Sequence, residues 1–443
     1  MRFANTNEFA RFYADGRLIT HAPLAEGCAE VVGLLGDAAP SGGRWLQHPR
    51  IPFISYPAEW TFGMLKAAAA LTLELAEAAL AGDLELKDAT PRNVLFKGGV
   101  PVFVDILSFR AFPGKPVWDA YHQCLRTFIL PLLFARDFGL RLDRVFLCDR
   151  EGLSIEESYR LLGPLKRLRS PYRNLVAMPR WLSRSSLSLP VPALDSGTAK
   201  SLSLRRIRGL RRIVDGCARP EPKSTWTDYD KIRNYERASL DEKRKFTDKA
   251  LDELPSGAWV LDLGANTGEF SLAANQKGLQ VVAVDSDEAC MDRLYSEVGR
   301  EQLNILPLVV NLGRPTPASG WGLKEEESFL ERAAGRFDLV LALALVHHLR
   351  FAEGAPLAMQ VKLFWSLTRK WVLLEWVDPK DTMVQSLINR FGFVPEDYTL
   401  ENLERSLSGY FLLRSRVALE GGTRCLLLLE KTLQAGATGV ADG

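Results

Sequence analysis

The residues best suited to chemistry lie where an apolar strand runs into a glycine-containing turn and then a helix. Residues 259–270 read WVLDLGANTGEF, in which Gly264 and Gly268 permit a sharp turn and a close approach of the backbone to a ligand. Residues 280–285 predict a second strand, which ends in Asp285. An acid at that place can accept hydrogen bonds from both ribose hydroxyls of an adenosine. The pattern therefore predicts a site for a nucleoside-containing ligand.

Two details of this segment favour one kind of ligand over another. Asn266 stands where a dinucleotide-binding loop has the second glycine of Gly-x-Gly-x-x-Gly, which a pyrophosphate needs for its close approach. Asp262, at the end of the first strand, adds a carboxylate that repels a pyrophosphate and attracts an ammonium or sulfonium group. A cationic nucleoside ligand is therefore favoured over a dinucleotide.

Asp262, Gly264 and Gly268 resemble the first motif of class I S-adenosylmethionine-dependent methyltransferases, Asp-x-Gly-x-x-x-Gly. The resemblance covers most of the chain after Trp226 and includes the strand-final Asp285. It implies that S-adenosylmethionine is the cofactor, with its methionine part at Asp262 and the loop and its ribose at Asp285. The cofactor-binding residues that it implies are Asp262, Gly264, Ala265, Asn266, Thr267, Gly268, Asp285, Ser286, Asn311 and Leu312. Most relatives have an acid near the adenine where Asn311 and Leu312 stand, so this sequence departs from the pattern there.

His347 and His348 are the candidate catalytic residues, because they follow the fourth strand of the predicted sheet at the edge where acceptors enter. Histidine titrates near neutral pH and can take a proton from an acceptor. The alternative is that the pair fixes its loop through hydrogen bonds. The resemblance also implies that residues 226–235 fold over the cofactor, with Tyr229 and Tyr235 at the methyl site; these tyrosines are otherwise surface aromatics on a connecting helix.

Seven apolar segments after residue 258 predict the sheet that must position these groups. Helix-like segments separate most of the first five, which favours a parallel sheet covered by helices, and the last two are joined by Glu420-Gly421-Gly422 as an antiparallel hairpin. The segments are residues 259–263, 280–285, 305–312, 337–345, 370–377, 410–419 and 423–431. We therefore expect a Rossmann-like, seven-stranded α/β domain.

The N-terminal part predicts a smaller α+β domain with a second motif. Residues 61–81 predict a buried helix, residues 94–96 and 102–106 predict a hairpin, and residues 119–138 predict a helix that Pro131 interrupts. Asp88, Asn93 and Asp105 resemble the catalytic loop and metal aspartate of protein kinases and aminoglycoside phosphotransferases, where such residues act as base and magnesium ligands.

The departures from that motif favour a kinase-like remnant used for structure or binding. Leu86 replaces the usual histidine, and no glycine-rich phosphate loop or strand lysine precedes the predicted helix. Asp88, Asn93 and Asp105 are therefore weak candidates for metal ligands, and we expect no metal site.

The domain boundaries follow from composition. We predict an α+β domain over residues 1–163, a linker over 164–225, the methyltransferase domain over 226–435 and a disordered tail over 436–443. Between residues 160 and 212 the chain has thirteen Lys or Arg residues and a single acid, Asp195. A solvated linker rich in Ser and Pro is the favoured interpretation, and a contact with a phosphate-rich partner is the alternative.

Bulk properties are those of a globular protein. The 443 residues carry 56 basic and 54 acidic side chains, for a net charge of +2, which does not indicate a polyanion-binding protein. No apolar run of eighteen residues lacks a charge, and the six cysteines form no Cys-x-x-Cys pair. We therefore expect a cytoplasmic protein without a membrane partner.

We predict an S-adenosylmethionine-dependent methyltransferase that acts on an oxygen or nitrogen of a small-molecule or glycan-type acceptor. The whole chain resembles bacterial nodulation-type methyltransferases in residues 54–60 and 86–91, and this likeness identifies no acceptor. The alternatives are an RNA methyltransferase that uses the basic segment, a phosphotransferase or pseudokinase with a methyltransferase-like domain, and a scaffold of two inactive domains.

Overall fold

The computed structural model describes residues 7–24, 33, 45–184, 194–219 and 237–432. The chain divides into two compact units. The first unit comprises Met1–Pro57 and Met64–Pro220, and the second comprises Ala58–Gly63 and Glu221–Gly443. The predicted cover over the cofactor with Tyr229 and Tyr235, and the predicted tail over 436–443, lie outside the described residues.

The first unit contains three antiparallel pairs of short strands. β1 (Ala22–Pro23) pairs with β2 (Leu46–Gln47), β3 (Leu84–Leu86) with β6 (Phe109–Ala111), and β4 (Val94–Lys97) with β5 (Val100–Phe103). The last pair is the predicted hairpin. The helices are α1 (Asn7–Ala14), α2 (Phe62–Ala81), α3 (Tyr121–Cys124), α4 (Leu130–Phe138), α5 (Leu142–Cys148), α6 (Ile155–Leu161), α7 (Pro164–Arg167), α8 (Met178–Arg184) and α9 (Ser196–Asp215).

Two helical predictions for this unit differ in outcome. Helix α2 confirms the buried helix predicted from residue 61 to 81, with Leu71, Leu73 and Leu75 at most 1% exposed. The predicted interruption at Pro131 is wrong in its position, because a π turn over Leu125–Ile129 precedes α4 and Pro131 falls in the first turn of that helix. The amide of Leu130 donates to the Leu125 carbonyl oxygen, so the π turn runs directly into α4 and Pro131 does not break the helical path.

The linker predicted over residues 164–225 does not hold for the described part of that segment. Helix α9 runs for 20 residues from Ser196, and the side chain of the preceding Asp195 caps it by accepting a hydrogen bond from the Thr198 amide. Ile207, Leu210 and Val214 are buried at spacings of three and four residues, which places them on one face of the helix. Because arginines are so frequent in this segment, its composition alone did not indicate the helical spacing of the apolar residues.

The second unit is built on the predicted seven-stranded sheet. Its strands are β7 (Trp259–Leu263), β8 (Gln280–Asp285), β9 (Ile305–Val309), β10 (Phe337–Ala342), β11 (Thr368–Val377), β12 (Phe411–Ala418) and β13 (Arg424–Lys431). The strand order is β12-β13-β11-β10-β7-β8-β9. β7 to β11 pair in parallel, whereas β13 is antiparallel to β11 and β12. The sheet confirms the predicted Rossmann-like, seven-stranded domain, and β9 and β10 each end three residues earlier than predicted.

Helices pack on this sheet and bury its central strands. They are α10 (Arg237–Asp252), α11 (Glu269–Gln276), α12 (Glu288–Glu301), α13 (Phe329–Ala333), α14 (Val346–Phe351), α15 (Leu357–Leu367), α16 (Thr382–Phe391) and α17 (Leu400–Leu407). Val260, Ala283 and Leu341 from three neighbouring strands share a core with Leu294 of α12. Strands buried in this way read as continuous apolar runs, which is why the sequence located them well. No helix in the described ranges is long and apolar enough to cross a membrane.

Six residues from early in the chain, Ala58–Gly63, belong to the second unit. The carboxylate of Glu59 forms an ion pair with the guanidinium of Arg332, and both side chains are almost fully buried. The amide of Gly63 donates to Asp292 Oδ1 at 2.8 Å. A Cβ atom at Gly63 would lie 2.8 Å from Tyr295 Cδ1, so the position requires glycine. This segment is therefore an integral part of the second unit.

We expect Glu59→Gln to lower the free energy of unfolding of the second unit by about 3–5 kcal/mol, because it removes the carboxylate charge that pairs with the buried guanidinium of Arg332. Denaturant unfolding followed by circular dichroism measures the change. Glu401→Gln is the matched control, since it removes an exposed ion pair with Arg405 and should cost less than about 1 kcal/mol. Equal losses in the two variants would contradict the structural role of Glu59.

Candidate functional site

A cavity of about 280 Å³ lies at the carboxyl edge of the parallel strands in the second unit. The loops that follow β7, β8, β9 and β10 form most of its wall, as expected for an open parallel sheet. Nine of the ten predicted cofactor residues line it: Asp262, Gly264, Ala265, Asn266, Thr267, Asp285, Ser286, Asn311 and Leu312. The cavity therefore brings together the positions that the motif singled out.

The glycine-containing loop is held in an unusual backbone conformation. Gly264 and Gly268 have φ values of 71° and 87°, and Asn266 has a φ of 50°, which asparagine tolerates better than most residues. Gly268 does not line the cavity. A Cβ atom there would lie 2.5 Å from Leu294 Cδ1, so its glycine is required where α11 begins against α12.

Asp285 is oriented toward the cavity by two backbone amides. Its Oδ2 accepts from the Asn266 amide at 2.9 Å, and its Oδ1 accepts from the Asp287 amide at 2.9 Å. Burial raises the pKa of Asp285, whereas the hydrogen bonds to the two amides lower it. Each carboxylate oxygen has a second acceptor direction, which leaves capacity for ligand hydroxyls.

Asp262 lines the base of the cavity and is itself hydrogen bonded. Its side chain is 3% exposed, and Ser271 Oγ donates to Oδ2 at 2.6 Å. Burial raises the pKa of Asp262 to about 6, against the opposing effects of Ser271 and the positive charge of Lys243. The carboxylate is therefore mainly charged at neutral pH, although less completely than an exposed aspartate.

Glu353 and Lys243 are among the cavity residues that the sequence analysis did not select. Glu353 follows α14 and lies next to the third-strand loop, where its Oε1 accepts from Asn311 Nδ2 at 3.3 Å. Asn311 Oδ1 is occupied by the Gly313 amide at 2.8 Å. Lys243 enters from α10. Neither Glu353 nor Lys243 belongs to a local sequence motif, so only the tertiary structure shows that they lie at the cavity.

The histidine pair is divided between the cavity and the core. His348 lines the cavity, whereas His347 is 2% exposed and is not one of the lining residues. The two ring centroids are 4.2 Å apart. Of the two predicted catalytic residues, only His348 therefore lines the cavity.

The environment keeps both imidazoles neutral. Burial and then the positive charge of Arg424 lower the pKa of His348 to about 4, and burial lowers the pKa of His347 well below its usual value. Among the described residues, Nδ1 of His347 has no hydrogen-bond partner. The alternative prediction, that the pair fixes its loop through hydrogen bonds, gains no support at this atom.

Four buried charges form an alternating network that begins at the cavity wall. Lys243 Nζ lies 2.6 Å from Glu375 Oε2, and Glu375 Oε1 accepts from Arg424 at 3.3 Å. Arg424 donates through Nε and a terminal nitrogen to the two oxygens of Asp381, at 2.7 and 3.0 Å. Two positive and two negative charges balance, which lets them remain buried.

The three kinase-like residues lie in one loop cluster of the first unit. Asn93 Nδ2 donates to the Asp88 carbonyl oxygen at 3.4 Å and to Ser108 Oγ at 3.3 Å. Ser108 donates to Asp105, whose Oδ1 accepts from the Leu107 amide at 3.0 Å. Within the described ranges, no group of three or more His, Cys, Asp or Glu side chains is placed to hold a metal ion. Local hydrogen bonds account for these contacts, and the kinase-like interpretation stays a prediction.

The sheet order, the glycine loop and the strand-final acid together define a class I methyltransferase domain in the second unit. Residues 232–360 match a family model described as a methyltransferase domain. Over 395 residues, the chain is 28% identical to the nodulation protein NoeA of Rhizobium meliloti, and the match spans 88% of this chain and 82% of that protein. This similarity agrees with the nodulation-type resemblance seen in the sequence.

Two solved structures are also similar to part of the chain. The magnesium protoporphyrin IX methyltransferase of Synechocystis PCC 6803 with bound SAH is 17% identical, with 46% of this chain and 92% of that chain covered and a TM-score of 0.34. The N-methyltransferase NodS of Bradyrhizobium japonicum WM9 is 12% identical, with 44% and 98% covered and a TM-score of 0.32.

We expect the imidazole of His348 to titrate near pH 4 in the folded protein, because its protonated form is buried beside Arg424. Nuclear magnetic resonance of histidine-labelled protein measures this, with the His348→Gln spectrum used to assign the resonance. His122→Gln, at an exposed position of the first unit, should leave that resonance in place. A resonance of His348 that titrates near 6.5 would contradict the burial argument.

The same pKa shift has a consequence for stability. The unfolded chain binds a proton at His348 below about pH 6.5, whereas the folded protein does so only near 4. The free energy of unfolding should therefore decrease as the pH falls from about 6.5 toward 4, and His348→Gln should reduce this decrease.

Proposed function

We propose that the second unit binds S-adenosylmethionine in the cavity and transfers its methyl group to an oxygen or nitrogen of a small-molecule or glycan-type acceptor. The observation that carries this proposal is the carboxylate of Asp285, which two backbone amides hold at the cavity. A carboxylate fixed in this way suits the paired hydroxyls of a ribose.

The residues around the cavity fit the remaining parts of the cofactor. Asp262 and the loop amides are suited to the ammonium and carboxylate of the methionine part, and the apolar side chains of Val310, Leu312 and Leu345 are suited to the adenine ring. The carboxylate of Glu353 lies beside the third-strand loop, where it can accept from the adenine amino group. In this proposal Glu353 takes the place of the acid that is missing at Asn311.

The chemistry requires alignment first and proton removal second. The bound cofactor supplies a methyl carbon on a positively charged sulfur, which keeps the electron pair of the broken carbon–sulfur bond. The cavity residues orient the acceptor lone pair toward that carbon. The neutral imidazole of His348 lines the cavity and can accept a hydrogen bond from an acceptor that carries a proton, but its low pKa makes it a weak base. In this proposal His347 acts by packing against His348 and does not contact the acceptor.

We expect Asp285→Asn to weaken binding of S-adenosylmethionine by about 1.5–3 kcal/mol, because charge-assisted hydrogen bonds to the ribose are lost. Isothermal titration calorimetry measures the affinity. Asp338→Asn is the matched control: Asp338 also accepts from a backbone amide, that of Trp259 at 2.8 Å, but lies at the opposite edge of the same sheet. Unchanged affinity in Asp285→Asn would refute the ribose assignment.

We expect Glu353→Ala to reduce the preference of the site for adenine over hypoxanthine. The wild-type protein should bind S-adenosylhomocysteine more tightly than S-inosylhomocysteine, since only adenine has an amino group that can donate to the carboxylate. A lost hydrogen bond to a charged group corresponds to roughly 10-fold or more in affinity. If the variant keeps the full preference of the wild type, Glu353 does not recognise the base.

A further inference from the structure

A basic and apolar face covers part of the first unit between helices α6 and α8. Six large apolar side chains there are between 44% and 75% exposed: Leu161, Leu165, Leu168, Met178, Trp181 and Leu182. Arg160, Arg169 and Arg173 are also exposed, and residues 160–184 contain no acid. We call these nine side chains the Leu-Arg face.

Contacts around Tyr159 bring the helices that carry this face together. The guanidinium of Arg167 lies 4.0 Å from the centre of the Tyr159 ring, and that of Arg180 lies 3.9 Å from it. Trp181 Nε1 donates to the Tyr159 hydroxyl at 3.4 Å. Residues from α6, α7 and α8 therefore meet at one place. On α8, Met178, Trp181 and Leu182 follow the spacing of a single helix face.

Two arginines of the Leu-Arg face, Arg169 and Arg173, differ from those of α9 in their partners, whereas Arg160 lies 3.3 Å from Glu156. On α9, Arg211 lies 3.5 Å from both Glu74 and Glu77, and Lys200 lies 2.6 Å from Asp83. Within the part of the chain that the structure describes, no carboxylate lies within 4 Å of a side-chain nitrogen of Arg169 or Arg173. Ion pairs within the first unit thus balance part of the positive charge on α9. The guanidinium charges of Arg169 and Arg173 are not balanced in this way and lie on the exposed surface.

We propose that the Leu-Arg face binds the surface of an anionic lipid bilayer. Leucine and tryptophan side chains enter the boundary between headgroups and acyl chains, and arginines around them pair with lipid phosphates. A nucleic acid would use the arginines but leave the exposed leucines in water. A soluble anionic protein would have to match an apolar surface of the same shape. A bilayer contacts both the apolar and the basic side chains of the face, and its binding does not depend on a nucleotide sequence or on a complementary protein shape.

The test is flotation of the full chain with vesicles of phosphatidylcholine, alone or mixed with phosphatidylglycerol. We expect binding to the mixed vesicles only. Arg169→Gln combined with Arg173→Gln should weaken it roughly 25-fold, about five-fold for each charge. Leu165→Ser should weaken it by about ten-fold, and Trp181→Ser should act similarly. Circular dichroism verifies folding, and Leu165→Ser, at a 75% exposed position, remains informative if a Trp181 variant fails to fold.

Two matched controls separate the face from general charge and general apolarity. Arg205→Gln combined with Arg212→Gln removes two exposed charges from α9 and should change binding about two-fold or less. Trp321→Ser removes an 88% exposed tryptophan that is followed by three glutamates and should have no effect. The proposal is overturned if the wild type ignores mixed vesicles or if the controls lose as much binding as the face variants. Tight binding of an RNA oligonucleotide that Leu165→Ser does not change, with no binding to vesicles, also overturns it.

Discussion

The carboxylate of Asp285 joins the two loops on which the candidate site depends. It accepts one amide from the loop after β7 and another from the turn after β8, so the ends of two parallel strands are fixed by one side chain. The left-handed backbone at Asn266 is what directs the first of these amides toward the carboxylate. This bridge adds to the backbone hydrogen bonds that Gly264 and Ala265 donate to the Val284 carbonyl oxygen, at 2.9 and 3.0 Å. The cavity therefore follows from an interaction between neighbouring strands.

Local sequence predicted the parts of the fold that local physics determines. β7 and β8 have the bounds expected from their apolar runs, because strands buried on both faces leave a continuous signal. The cofactor loop was also predictable, since its glycines and acids lie within one short segment. Glu353 was not, because it reaches the cavity from the end of α14, more than forty residues after Asn311, to which it is hydrogen bonded. No spacing rule connects two such positions.

Composition was misleading where charge concealed periodicity. The segment predicted as a linker contains α9, whose buried Ile207, Leu210 and Val214 alternate with arginines that pair with acids of the same unit. A count of charges cannot distinguish an arginine that faces a glutamate from one that faces water. The sequence also did not predict that Ala58–Gly63 belong to the second unit, because the buried partner of Glu59 is Arg332, far along the chain. A local sequence pattern cannot predict an ion pair between residues this far apart in the chain.

Charge balance explains why the cavity suits a cationic ligand and not a pyrophosphate. Among the described lining residues, Asp262, Glu269, Asp285 and Glu353 carry carboxylates. Glu269 is paired with Arg244 at 2.6 Å, and Lys243 is paired with Glu375, which is not a lining residue. The remaining excess of negative charge attracts an ammonium or sulfonium group and repels phosphates. The raised pKa of Asp262 is a consequence of the same crowding, because burial and the neighbouring Asp285 both disfavour its charge. A bound cation would relieve that cost, so ligand binding and ionisation of Asp262 are coupled.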